Sequence, residues 1–261
     1  MNFKKGDYVT RDSYDNDIVF VILDINNNQA VLKGYDVRLI ASSPLTDLRI
    51  CDDIDMNSDF VEELKKDSIV DRFDRDDFFY LPGKVLHIDA DRDYLDKCLE
   101  YYKNNSVMAY GYCVKEDEIM NILPKYLNDI KPDILVITGH DAFMKKNSDK
   151  NNLNNYKNTY NFIKGVKAAR NYEKSHEKLL IIAGACQSNY EELIKAGSDF
   201  ASSPRRVNIH ALDPAIIATE IALTEKNKEV DLIKLLNKTK YGKDGMGGLM
   251  VNGLMYVGYP R

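Results

Sequence analysis

Two apolar runs in this sequence end in a thiol and an imidazole, the smallest kit for catalysis by a thiolate nucleophile. Lys178-Leu179-Leu180-Ile181-Ile182-Ala183-Gly184-Ala185-Cys186-Gln187-Ser188 sets four large apolar residues before three small ones and then Cys186. Asp133-Ile134-Leu135-Val136-Ile137-Thr138-Gly139-His140-Asp141-Ala142 has the same form and closes on His140. Such short runs read as strands buried on both faces, as parallel strands are. A helix-like stretch starts at Asn189, so Cys186 falls between a strand's carboxyl end and a helix's amino end, where α/β sheets hold chemistry. Two such strands side by side bring His140 and Cys186 to one sheet edge. There an imidazolium and a helix amino terminus lower a thiol from about 8.5 toward neutrality.

The elements that must position this pair are legible in outline. The chain has 261 residues, 44% hydrophobic and 30% charged, enough for one large α/β domain and a small companion. A net charge of -5 argues against a general nucleic-acid or membrane-surface binder. Met1-Asn2-Phe3-Lys4-Lys5-Gly6-Asp7 has no apolar segment behind its lysines, and nothing later is long enough to span a bilayer, so an intracellular protein is expected. Cys51, Cys98, Cys113 and Cys186 share no metal-ligand spacing and are expected as free thiols, with no zinc site and no cofactor.

Residues 1–52 read as a small β unit with strands Asp7 to Arg11, Ile18 to Leu23, Gln29 to Gly34 and Asp36 to Ala41. Residues 53–82 read as an acidic linker with a short helix carrying Phe60, Val61 and Leu64. Across residues 83–261 strands and helices alternate, which implies a three-layer α/β domain with a mainly parallel sheet. The expected order is strand Lys84 to Asp89, helix Asp93 to Asn104, strand Val107 to Val114, helix Glu116 to Ile130, the histidine strand, helix Tyr160 to Glu173 and the cysteine strand. The polar tract Lys145 to Asn158 reads as an exposed loop over the substrate. Beyond the cysteine come helix Tyr190 to Ala196 capped by Gly197, an extended piece Phe200 to Ile209, and helix Ala215 to Leu223 with Asp213 as N-cap. Helix Val230 to Leu236 and a glycine-rich closing strand or hairpin, Gly242 to Gly258, finish the chain.

The remaining reactive residues fit ordinary roles. His87 reads as a satisfied core histidine, His176 and His210 as solvated residues of connecting segments, Cys98 as part of an apolar helix stripe, and Cys51 as the exit from the β unit. Cys113 ends a strand but lacks a small-residue bend and is a weak rival nucleophile.

The histidine and cysteine segments resemble the caspase-like cysteine peptidases: caspases, legumains, gingipains, clostripain and separase. Over the whole chain the sequence resembles the sporulation-specific, YabG-type peptidases, through Lys5-Gly6-Asp7, Ile137-Thr138-Gly139-His140-Asp141 and Ala183-Gly184-Ala185-Cys186-Gln187-Ser188. Lys5-Gly6-Asp7-Tyr8-Val9 also resembles the first turn of SH3-like barrels. These resemblances imply a caspase-like domain behind an SH3-like barrel, and an endopeptidase of spore-coat and cortex-associated proteins in the mother-cell cytoplasm, often cleaving after arginine. They imply Cys186 as nucleophile, His140 as acid/base, and an oxyanion hole from backbone N–H groups of Asp141 and Cys186. Asp141 departs from the glycine of the caspase-like group, and its carboxylate opposes an oxyanion unless it points away. Arginine preference needs an acidic pocket, for which Asp89, Asp199 and Asp213 are candidates, with Gly139 and Gly184 leaving room for substrate. Gly184 stands where clostripain-type enzymes carry an acid. The competing readings are a Rossmann-like or receiver-like binding module, disfavoured by the lack of Gly-x-Gly-x-x-Gly and Walker motifs, and a non-catalytic spore-coat adaptor.

Overall fold

The computed structural model describes residues 3–51, 59–66, 77–144 and 149–260. The chain opens with β1 (Tyr8–Arg11), β2 (Phe20–Asn26), β3 (Gln29–Gly34), β4 (Ile40–Pro44) and β5 (Leu48–Ile50), an antiparallel sheet in the order β4-β3-β2-β1-β5. The alternation that predicts strands also fills this unit's core, since Val9, Phe20, Ile22, Ala30, Leu32 and Leu48 all point inward. The fourth strand begins at Ile40 rather than Asp36, because residues 35–39 leave the sheet to bond elsewhere, and β5 is an element the sequence reading lacks. Helix α1 (Asp59–Lys66) follows, and much of the expected linker lies outside the described residues.

Next come β6 (Phe79–Leu81), β7 (Val85–Asp89), α2 (Arg92–Asn104), β8 (Ala109–Cys113), α3 (Ile119–Ile130), β9 (Ile134–Thr138), α4 (Thr159–Tyr172) and β10 (Leu180–Ala183). Then follow α5 (Tyr190–Ala196), β11 (Phe200–Ser202), α6 (Asp213–Leu223), α7 (Leu232–Asn237), α8 (Gly242–Gly245), β12 (Met246–Gly248) and β13 (Tyr256–Gly258). The large sheet has the order β12-β11-β10-β9-β7-β8, parallel except for β12. The glycine-rich tail is therefore not a hairpin: β12 closes the large sheet against β11, and β13 pairs with β6 in a separate ribbon.

Strand alternation sorts the core into two faces. Ile134, Val136, Leu180 and Ile182 pack with α2 and α6, whereas Leu135, Ile137, Ile181 and Ala183 pack with α3, α4 and α5. This is the expected three-layer arrangement. The β unit is welded to it. Arg38, fully buried, lies 2.6 Å from Asp89 Oδ2 at the end of β7 and donates from Nη2 to Ala211 O at 2.9 Å. Its backbone N–H bonds Ile209 O, and Ala211 N–H bonds Asp36 O, which is where the missing start of the fourth strand goes. Burial is the largest influence and opposes the charge of both partners, but their mutual attraction, joined by neighbours such as His87 beside Asp89, outweighs it, leaving Arg38 raised and Asp89 lowered.

Cutting one member of such a pair strands a charge in the core. Arg38→Ala is expected to lower unfolding free energy by about 3–5 kcal/mol, read from urea denaturation. The double variant Arg38→Met with Asp89→Leu should recover part of that loss.

Candidate active site

Register decides what meets at the carboxyl rim of the sheet. β7 and β9 align Asp89 with Thr138, so Asp91 and His140 each lie two residues beyond a paired position. β9 and β10 align Ile137 with Ala183, so His140 and Cys186 each lie three residues beyond. Three neighbouring parallel strands thus deliver Asp91, His140 and Cys186 to one rim. The chain leaves β7 for β8 on one side and reaches β9 on the other, so Asp91 and His140 flank the point where the connections diverge, the usual crevice of α/β sheets.

His140 Nε2 lies 3.0 Å from Asp91 Oδ2. Burial pushes Asp91 up, but the bonds from His140 and from Lys33 outweigh it and hold the carboxyl at about 2. An ionised carboxylate only accepts, so Nε2 carries the proton, and in the neutral imidazole Nδ1 then keeps its lone pair. Nδ1 is buried and has no hydrogen-bond partner among the described residues. A free lone pair on an oriented imidazole is what a general base requires. The Tyr94 ring stands edge-on to the imidazole at 5.6 Å, and Glu116 accepts the His140 backbone N–H at 2.9 Å.

Cys186 is fully buried, among the residues facing α2 and α6. Its Sγ accepts a hydrogen bond from Ile209 N–H at 3.2 Å. Burial pushes the thiol up to about 12, against that bond and against Arg38. This departs from the lowering that a helix amino terminus and an imidazolium suggest. The physical reason is a lid: the segment after β11 folds back over the sulfur, and residues 36–38 of the β unit pin it there. The resting thiol is protonated and covered.

Asp141 is committed to hydrogen bonds beside the rim. Its carboxylate accepts from Ser188 Oγ at 2.8 Å, from the N–H groups of Asn158 (2.7 Å) and Ala142 (2.9 Å), and from Thr159 Oγ1. Burial raises its pKa against these bonds. Among the described residues no hydrogen bond engages the backbone N–H of Asp141 or of Cys186, so two main-chain donors stay uncommitted at this rim.

The other candidate residues are dispersed. Asp89 is consumed by Arg38 and by Thr138 Oγ1 at 2.8 Å, which corrects its reading as a pocket acid. Asp199 precedes β11 at the amino end of the sheet, the rim opposite Cys186, and is paired with Arg170 at 2.6 Å and with His176. Asp213 is not an N-cap; it is the first residue of α6, and its oxygens accept the N–H groups of His210 and Lys240, each at 2.8 Å. Burial lifts it to about 7, and among the described residues it forms no ion pair. Gly184 has φ +108°, and a Cβ there would meet Ser202 Oγ at 2.3 Å, so packing alone accounts for it. At Gly139 a Cβ would meet Glu116 Oε1 at 2.8 Å.

His87 is buried between Tyr102 Oη and Thr138 Oγ1, a satisfied core histidine. His176 is half-exposed, whereas His210, expected in solvent, is buried with its ring edge-on to Phe60 and its pKa lowered by burial to about 4. Cys98 is buried, Cys113 exposed and Cys51 half-buried. Of the loop expected over the substrate, residues 145–148 lie outside the described residues; the remainder carries buried Asn155 and Tyr156 and bonds back to Asn189 and Arg206. The sequence reading missed Asp91, Lys33 and Tyr94. The signal for Asp91 was present: like the other two, it follows an apolar run.

The family described as YabG peptidase U57 matches residues 4–260. The chain belongs to the YabG peptidase family. It is 38% identical over 286 aligned positions to the sporulation-specific protease YabG of Bacillus subtilis (strain 168), covering all of this chain and 99% of that protein. Among solved structures, the receiver domain of Francisella response regulator 1452 is 20% identical with a TM-score of 0.33, covering 54% of this chain and 96% of that one. Membership of the YabG family makes this chain a peptidase. No described helix is long and apolar enough to cross a membrane.

The thiol's environment predicts its reactivity. With a pKa of about 12, on the order of 10⁻⁴ of it is ionised at pH 8. Iodoacetamide labelling followed by mass spectrometry should mark Cys113 and Cys51 first, with Cys186 slow at pH 7 and faster at each higher pH up to the alkaline limit of folding. Fast labelling of Cys186 at pH 7 would contradict the covered state.

Proposed function

We propose that this chain is a cysteine endopeptidase of spore formation, working in the mother-cell cytoplasm on spore-coat and cortex-associated proteins. The observation that carries the reading is the free Nδ1 of His140, oriented by Asp91 on a strand next to the one that ends at Cys186. The relationship to a sporulation-specific protease over the full chain supports the biological setting.

The chemistry follows from those atoms. Ile209 N–H releases Sγ as substrate enters, the Cys186 proton passes to His140 Nδ1, and sulfur forms a bond to the peptide carbonyl carbon. The resulting oxyanion rests on the N–H groups of Asp141 and Cys186, both uncommitted in the resting state, while hydrogen bonds from Ser188 and Thr159 hold the Asp141 carboxylate and spread its charge. The imidazolium returns its proton to the departing amine as the C–N bond breaks. Water, deprotonated by the same imidazole, then hydrolyses the thioester and restores the thiol.

The strand order, with the histidine after the third parallel strand and the cysteine after the fourth, supports a caspase-like peptidase domain. Five short antiparallel strands with a 3-10 turn at Leu45–Asp47 before the last support an SH3-like barrel for the β unit, and residues 1–52, 53–82 and 83–261 serve as barrel, linker and peptidase domain. For cleavage after arginine, Asp213 is the one of the three candidate acids without a cation of its own among the described residues, and a substrate guanidinium would supply it.

Cys186→Ala and His140→Ala, each checked for folding, are expected to abolish cleavage of coat-protein mixtures mapped by fragment mass spectrometry. Normal cleavage by either variant sinks the assignment. In a peptide series varying only the residue before the cut, arginine should lead, and Asp213→Asn should erase its advantage over glutamine.

A further inference from the structure

The β unit meets the catalytic rim at one side chain. Lys33, at the end of β3, lies 2.7 Å from Asp91 Oδ1 and 2.6 Å from Asp93 Oδ2, with its ammonium 4.7 Å from the centre of the Tyr94 ring. Its side chain is only 12% exposed. Asp91 thus serves two partners from its two oxygens, His140 on Oδ2 and Lys33 on Oδ1, while Oδ1 also caps α2 through the N–H groups of Asp93 and Tyr94. Tyr94 is anchored to the same stretch, its hydroxyl lying 2.6 Å from Gly34 O and 2.9 Å from Val37 O. Gly34 permits that tight approach, since a Cβ there would meet Val37 O at 2.2 Å. Both residues that cage the imidazole are therefore held by residues 33–37 of the β unit.

We infer that the β unit is a working part of the active site, supplying Lys33 as a positioning residue that sets how much of the Asp91 charge His140 feels. This rests on His140 acting as the acid/base. The groups facing His140 are Asp91 from the β7–α2 turn, Tyr94 from α2 and Glu116 from the turn before α3; Asp93 lies behind Asp91, and Asp141 is turned to Ser188 and Thr159. Among the described residues Lys33 is the cation paired with Asp91 and Asp93, while Arg38, 5.1 Å from the Tyr94 ring centre, is paired with Asp89. Lys33 neutralises part of the carboxylate field and fixes which oxygen faces the imidazole. Removing the ammonium leaves more negative charge on Asp91 and favours the imidazolium; removing the carboxylate does the reverse.

The test uses the full chain with ¹³C-labelled histidine, whose four histidines give few signals, that of His140 being assigned by His140→Asn. Lys33→Met is expected to raise the His140 titration midpoint by roughly 0.5–1 unit and Asp91→Asn to lower it, while Lys33→Arg stays within about 0.3 unit of wild type. On a peptide substrate, Lys33→Met should reduce kcat about tenfold with KM little changed, and Asp91→Asn should reduce it by about 10²–10⁴-fold. A Lys33→Met protein with a lower melting temperature but an unmoved His140 midpoint shows a mere tether and overturns the inference, with the peptidase reading intact. Shifted midpoints alongside normal cleavage by His140→Ala overturn the assignment of His140 as acid/base and, with it, any catalytic role for Lys33.

Discussion

A guanidinium buried without access to water is the constraint around which this fold is arranged. Arg38 belongs to the small β unit, yet its partners are Asp89 at the end of β7 and Ala211 O in the segment that covers Cys186. Removing an arginine from water costs several kcal/mol, which only close, well-aligned partners offset. The geometry is accordingly fixed on both sides: the β unit cannot rotate, the end of β7 cannot shift, and the segment around Ile209 cannot lift without exposing or stranding a charge. Two residues beyond Asp89 lies Asp91, so the constraint that binds the units also sets the partner of His140.

How much of this the sequence discloses depends on the distance over which each feature is decided. The apolar runs at Ile134–Thr138 and Leu180–Ala183 are local, and both strands lie where the runs place them, with α5 matching its expected span. Binary pattern and small-residue punctuation were enough to bring His140 and Cys186 to neighbouring strands. Features resting on contacts between distant segments were not legible. Residues 36–39 look like strand because Val37 and Leu39 alternate with polar neighbours, but Asp36 O and Arg38 N–H bond the Ile209–Ala211 segment instead, and Leu39 bonds back to Gly34 and Val37. His210 looks solvated for the same reason, being polar in a connecting segment; the packing of Phe60 and residues 36–38 around it is invisible in one dimension. Asp91 and Lys33 are 58 positions apart and carry no motif between them.

The thiol shows the same division with a functional consequence. From sequence alone, the start of a helix after Cys186 and a histidine on the next strand both argue for a lowered pKa. In the folded chain burial raises the thiol instead, against the bond from Ile209 and the charge of Arg38. The two statements describe different states of one site. Lifting the covering segment would remove the desolvation that raises the thiol, on the strand next to the one that ends in the oriented imidazole. If Cys186 is the nucleophile proposed above, the fold separates having a thiol at the rim from having a reactive one.

Strand order does not by itself choose an enzyme over a binding module, since a parallel sheet with its first two strands reversed serves both. What separates them is the chemistry of the strand ends. A module that cradles a nucleotide needs glycine-rich backbone opening onto a helix amino terminus, and the glycines here are filled from behind: Gly184 faces Ser202 and Leu193, and Gly139 faces Ala90 and Glu116. A docking adaptor has no use for a carboxylate that orients an imidazole and leaves its other nitrogen free in a buried position. Among the described residues His140 Nδ1 shares a buried, unpartnered state with Ser198 Oγ, His210 Nε2 and Thr219 Oγ1, but it alone of these sits on an imidazole oriented by a carboxylate at the carboxyl rim, the geometry that general-base catalysis fits.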